Sequence, residues 1–173
     1  MARAISFIQA NLQHSIAASE IFTRAVDVKG IDTALVQEPW YREDCIRGLN
    51  IPGYTLYYAG GKDRTRVCIL ARDMKAWMLP GFSCRDLVAV TVKCIEGGAE
   101  RRPVVCSAYL PCHYVDPPLS SELEELFRYC ENENIYLIVG CDSNAHHTAW
   151  GSTNCNGREE SLLVSKYFEF GDS

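Results

Sequence analysis

Ile135-Tyr136-Leu137-Ile138-Val139-Gly140, followed by Cys141-Asp142-Ser143-Asn144, is the stretch on which the reading of this chain turns. A short aliphatic run bounded by polar residues reads as a buried strand. In an open α/β sheet, ligands bind beyond the carboxyl ends of strands, so Asp142 and Asn144 stand where chemistry is expected. His146, His147 and Trp150 come next. Upstream, Ser120–Asn132 reads as a helix: Leu123, Leu126, Phe127 and Cys130 share one face and the glutamates take the other. Ser121-x-x-Glu124 has the form of a capping box.

Working outward, Ala4–Leu12 reads as a strand, Ser15–Lys29 as a helix stopped by Gly30, and Thr33–Gln37 as a buried strand ending at Glu38-Pro39. Proline disfavours helix at the residue before it, so Glu38 is expected at a strand end. This β-α-β opening suggests a sheet covered by a helix. Tyr54–Ala59, Arg66–Ala71, Leu87–Ile95 and Pro103–Leu110 read as successive antiparallel strands, with Gly60-Gly61 and Gly97-Gly98 as turn signals. Arg158–Tyr167 reads as a further helix.

The 173 residues, 47% hydrophobic and 23% charged, suit one globular domain over 1–173 and exclude a coiled coil or a disordered tail. The apolar runs are far shorter than the ~20 residues that span a bilayer. Met1-Ala2-Arg3-Ala4 lacks the features of a secretory signal, so a soluble intracellular protein without membrane contact is expected. The nine cysteines include no C-x-x-C pair and fall mostly inside apolar runs, which favours reduced core thiols. Cys141, His146, His147 and Cys155 form the one local set suited to zinc, but their spacing matches no zinc pattern. Residues 61–102 carry nine basic and five acidic groups, a net of +4, while residues 103–173 carry three and eleven, a net of −8. An overall charge of −5 argues against a general nucleic-acid binder, yet the middle segment, with Arg64 and Arg66, could form a basic surface.

Asn11, Glu38, Tyr109 and the Asp142/Asn144 pair each close a strand. Loop polarity explains any one of them; together they suggest one shared rim.

Gln9-Ala10-Asn11-Leu12, Gln37-Glu38-Pro39-Trp40, Ser107-Ala108-Tyr109-Leu110-Pro111 and Gly140-Cys141-Asp142-Ser143-Asn144-Ala145-His146-His147 together resemble the endonuclease/exonuclease/phosphatase superfamily. Within it, Asn144-Ala145-His146-His147-x-x-Trp150-Gly151-Ser152 is similar to the apurinic-like endonuclease domain of non-LTR retrotransposon polyproteins. The resemblance runs from about residue 4 to about residue 163. It implies a two-sheet, four-layer α/β sandwich of the deoxyribonuclease type with a phosphodiester-cleaving site at one end. It further implies that Glu38 binds Mg²⁺ (or Mn²⁺), with Asn11 positioning the metal or the attacking water. Tyr109 would donate to the scissile phosphate. Asp142 would orient a water or protonate the leaving oxygen, and Asn144 would donate to the phosphate. His146 and His147 would support the Asp142 loop, and Arg64 and Arg66 would meet DNA. Trp150 reads as core, His113 as a loop residue near DNA, and His14 as a surface residue. The implied partners are double-stranded DNA and a reverse transcriptase domain in a longer polyprotein, and the implied location is the nucleus.

The family pattern continues with further strands, another Asp and a late Ser-Asp-His motif, and no histidine follows His147 here. A domain incomplete at its C-terminus and weakly nucleolytic, or a non-catalytic binding remnant, is the expectation from that departure. A repair or phosphoesterase enzyme is disfavoured by Asn144–Ser152.

Overall fold

The computed structural model describes residues 5–61, 64–72, 76–96, 98–111 and 120–142. Phe7–Asn11 (β1) and Thr33–Gln37 (β2) pair in parallel, joined by the helix Ile16–Lys29 (α1). Ser15 is extended and its Oγ accepts from Ala18 N at 3.2 Å, starting α1. Gly30 ends it at φ 59, a left-handed conformation that costs glycine nothing. After the small hairpin Tyr41–Arg42 (β3) and Cys45–Ile46 (β4), Tyr54–Tyr57 (β5) and Val67–Arg72 (β6) complete a four-stranded sheet of order β1-β2-β6-β5.

The second sheet is built from Ala76–Met78 (β7), Leu87–Val92 (β8), Val104–Tyr109 (β11) and Leu137–Asp142 (β12), in the order β12-β11-β8-β7. Cys94–Glu96 (β9) and Ala99–Arg101 (β10) form a hairpin between β8 and β11. The helix Ser121–Asn132 (α2) carries the chain from β11 back to its parallel neighbour β12.

Strand alternation sorts the side chains into three cores. Ala34, Val36, Cys68 and Leu70 point outward onto Phe22 and Val26 of α1. Leu87, Ala89, Val104, Cys106 and Ala108 point outward onto Leu123, Leu126 and Cys130 of α2. Leu35, Val67, Ile69, Val88, Val90, Val92 and Val105 point inward, where the sheets pack face to face. The result is the four-layer helix–sheet–sheet–helix sandwich that the family resemblance implies. Cys68 and Cys106 are fully buried, and burial pushes both thiols well above their ordinary range, so they behave as small hydrophobes.

Several local expectations are corrected. Leu87–Ile95 is not one strand: it breaks at Lys93, with β8 pairing in the main sheet and β9 turning into its own hairpin. The cap of α2 is Ser120, whose Oγ accepts from Leu123 N, so the capping box starting at Ser121 does not form. The last described strand is Leu137–Asp142 rather than Ile135–Gly140, because its ladder with β11 carries on to Asp142. The helix expected at 158–167 lies outside the described residues, as do Cys112 and Cys155. Among the described residues no helix is long and apolar enough to cross a membrane.

Candidate active site

The parallel pairs β1/β2 and β11/β12, with antiparallel β6 and β8, bring the ends of β1, β2, β11 and β12 and the starts of β6 and β8 to one edge of the sandwich. Toward that edge the inner layer turns polar. Gln37 and Ser107 face each other across the sheets, both with no exposed surface. A buried amide is costly unless hydrogen-bonded, and here every group is engaged. Gln37 Nε2 donates to Ser107 Oγ (3.0 Å) and the Gly140 carbonyl (3.2 Å), while its Oε1 accepts from Gln9 Nε2 (3.2 Å). Ser107 Oγ donates to the Val36 carbonyl, and Gln9 Nε2 also reaches the Cys141 carbonyl. Gly140 lets β12 approach this closely: a Cβ there would lie 2.6 Å from Leu35 Cδ1 and 2.9 Å from Leu35 Cβ.

One step further out, Asn11 Nδ2 donates to Asp142 Oδ2, while Asn11 Oδ1 accepts from the Gln13 amide at 2.8 Å. Tyr109 and Asp142 are direct partners in the β11/β12 register, and Leu110 N donates to the Asp142 carbonyl. The structure thus brings Asn11, Tyr109 and Asp142 together from both sheets.

Glu38 follows Gln37 at the same edge. Its backbone differs from the extended form that Pro39 favours: φ is 47, left-handed. Two backbone bonds hold it there, from Glu38 N to the Arg66 carbonyl (2.7 Å) and from His14 N to the Glu38 carbonyl (2.8 Å). Gln13 and His14 are also left-handed, at φ 49 and 54. Such non-glycine conformations cost about 1–3 kcal/mol each and cluster at functional sites.

Arg66 does not stand free to meet a phosphate. Its Nε and Nη2 grip both carboxylate oxygens of Asp86 at 2.5 Å, and its guanidinium lies 4.5 Å from the centre of the Tyr109 ring. Burial alone would weaken its hold on the proton. The Asp86 hydrogen bond and charge outweigh that, helped by Tyr109 and Glu38, and its pKa rises. Arg66 therefore walls the site and fixes the Tyr109 ring, while Arg64 is exposed beside it. Asn144, His146, His147, Trp150 and His113 lie outside the described residues.

His14 corrects its reading as a surface residue: it sits at the edge, Nε2 3.6 Å from Glu38 Oε1. Gln9, Gln37 and Ser107 stood in the quoted stretches without a role, and Asp86 escaped sequence reasoning. For Gln37 the further signal was a glutamine closing the apolar run Ala34-Leu35-Val36.

A divalent cation fits this edge. The Glu38 carboxylate is only 20% exposed, and no described residue donates a hydrogen bond to it; its nearest described partner is His14. The Arg66 charge also acts on it, and a part-buried carboxylate that accepts no hydrogen bond can take a further positive partner. Among the described residues no group of three His, Cys, Asp or Glu side chains is gathered to hold a metal, so water and substrate oxygens would complete the shell, as suits Mg²⁺.

The sandwich has the fold of endonuclease/exonuclease/phosphatase proteins. The family described as endonuclease-reverse transcriptase matches residues 104–166, from β11 onward. Among solved structures, the chain is similar to the endonuclease domain of TRAS1, a telomere-specific non-LTR retrotransposon, at 24% identity and a TM-score of 0.69, over 94% of this chain and 69% of that one. It is similar to an endonuclease/exonuclease/phosphatase family protein from Bacteroides thetaiotaomicron (13% identity, TM-score 0.62, 95% of this chain and 70% of that one). It is also similar to the human Nocturnin catalytic domain (15% identity, TM-score 0.58, 82% of this chain and 65% of that one). At these identities the likeness is one of fold. Comparison with curated proteins gave no match.

Proposed function

We propose that this chain is a divalent-metal-dependent endonuclease that nicks double-stranded DNA, a reading supported by its similarity in fold to the endonuclease domain of a non-LTR retrotransposon. The observation that carries the reading is the bond from Asn11 to Asp142, which closes the two sheets over one polar edge beside Glu38 and Tyr109. Asn11 orients the Asp142 carboxylate, which holds a water in line or returns a proton to the leaving oxygen. Tyr109, its ring held by Arg66, presents a hydroxyl for a phosphate oxygen. Glu38 would hold the cation, which neutralises phosphate charge and acidifies bound water when present. Exposed Arg64 and the half-exposed Arg85 supply positive charge at the start of β6 and β8. A second strand of DNA, the 3′-hydroxyl product and a role in priming reverse transcription belong to the same reading, as does action in the nucleus.

The test is incubation of the 173-residue chain with supercoiled plasmid and Mg²⁺ or Mn²⁺. The expected result is metal-dependent nicking that Asp142→Ala and Glu38→Gln each lower by ~10²-fold or more. Plasmid retained by the protein but never nicked, with the variants indistinguishable from the unmutated chain, would replace this reading with a binding module.

A further inference from the structure

We infer that His14 is a second protein ligand, with Glu38, to one divalent cation, and that this nitrogen donor makes the site prefer a first-row transition-metal ion to Mg²⁺. The inference rests on the reading that Glu38 holds a cation. It starts from the imidazole. His14 Nδ1 is 3.1 Å from the Pro39 carbonyl, an oxygen that can only accept, so Nδ1 carries the proton. The lone pair of the neutral ring is then on Nε2, which faces Glu38 Oε1. A metal-binding histidine is normally oriented in this way, donating its other ring nitrogen to a carbonyl or carboxylate.

The spacing points the same way. Nε2 and Oε1 are 3.6 Å apart, too far for the ~2.7–2.9 Å bond of an imidazolium–carboxylate pair. Two ligands about 2.1 Å from a shared ion are separated by about 3.0 Å at right angles and about 3.4–3.6 Å at tetrahedral to slightly wider angles, so the observed spacing lies within a small side-chain adjustment of shared coordination. The His14 ring is held by its bond to the Pro39 carbonyl, and the backbones of both residues are fixed. His14 and Glu38 are left-handed residues tied by the His14 N to Glu38 O bond, and Leu12 N donates to the Gln37 carbonyl one step before. The side chains are part-buried, at 33% and 20% exposure, which leaves room for waters and a substrate oxygen. Mg²⁺ takes oxygen ligands and parts with water reluctantly, whereas imidazole suits first-row transition metals.

The experiment measures metal binding directly on the 173-residue chain. Free Mn²⁺ is followed by electron paramagnetic resonance, and Mg²⁺ by its competition with Mn²⁺. Mn²⁺ is chosen because the cysteines compete poorly for it. The unmutated chain should bind Mn²⁺ at least ~10-fold more tightly than Mg²⁺. His14→Asn, which keeps a residue tolerant of the left-handed turn, should lower Mn²⁺ affinity ~10-fold and move Mg²⁺ affinity less than twofold. Glu38→Gln should weaken both. If Glu38→Gln weakens both but His14→Asn changes neither, the inference falls and the Glu38 reading stands. If Glu38→Gln changes neither, the metal reading itself falls. A second measurement is independent of how His14→Asn folds. In a chain carrying His113→Asn, His146→Asn and His147→Asn, the electron spin echo of bound Mn²⁺ should keep an imidazole ¹⁴N modulation, and its absence would overturn the assignment.

Discussion

The space between the two sheets has two ends of opposite character. At one, Leu35, Ile69, Val90, Val92 and Val105 fill it with aliphatic side chains that are almost wholly buried. At the other, the inward positions of β2, β11 and β12 are Gln37, Ser107 and Gly140, beside Val67 and Val88 of β6 and β8, and then come Asn11, Tyr109 and Asp142. The backbone ladders are continuous across both, so the change lies in side chains alone. The apolar end holds the sheets by area removed from water, which tolerates substitution of similar volume. The polar end holds them by directed bonds between groups that have no solvent to fall back on. Stability resides mainly in the first end, and alignment of the candidate chemistry in the second.

Ways to break this contrast can be ordered by size. Ile69→Ala, in the apolar end, should destabilise the fold by about 2–5 kcal/mol in urea unfolding, because a buried side chain leaves a cavity. Any metal affinity at Glu38 should survive it in the folded fraction. Gly140→Ala should cost about 1–3 kcal/mol, since the new methyl must push Leu35 and β12 apart. Unlike Ile69→Ala, it should also displace Asp142, and backbone amide shifts of residues 138–142 would report that. Gln37→Leu should cost about 1–3 kcal/mol by leaving Ser107 and the Gly140 carbonyl short of a partner. Adding Ser107→Ala should then cost less than it does alone, and strict additivity would show that the network is not coupled. The smallest change lies outside the inner layer and calibrates the rest. Ser120→Ala should cost about 1 kcal/mol by removing the α2 cap, while Ser121→Ala should stay within about 0.5 kcal/mol.

Much of this architecture could be read from the residues. Thr33–Gln37 appears with its expected bounds because an apolar run closed by Gln37, Glu38 and Pro39 admits few alternatives. α1 and α2 follow from their periodic faces and caps. β3, β4 and β7 were not legible, since two or three residues carry no alternation to count. The placement of Asn11, Tyr109 and Asp142 on one edge was legible as a pattern of strand ends. What Arg66 does there was not, because its fate depends on Asp86, an acidic residue at the start of another sheet with no motif of its own. His14 was misread for a related reason. Its approach to Glu38 depends on left-handed turns at Gln13, His14 and Glu38, which no propensity for those residue types announces.

The bonds from Gln9 to Cys141 and from Asn11 to Asp142 join positions 132 and 131 residues apart. In the time order of synthesis, these links can form only after residue 142 has emerged. β1 leaves the ribosome with its polar end unpaired and stays so until β12 emerges, by which time α1, the first sheet and most of the second can already have formed. Closing so long a loop is entropically slow to be rewarded, so the edge assembles late whatever nucleates the rest. A nascent or partly folded chain therefore holds Glu38 but not yet Asp142 opposite Asn11. Whatever chemistry the edge performs, it waits on the arrival of β12.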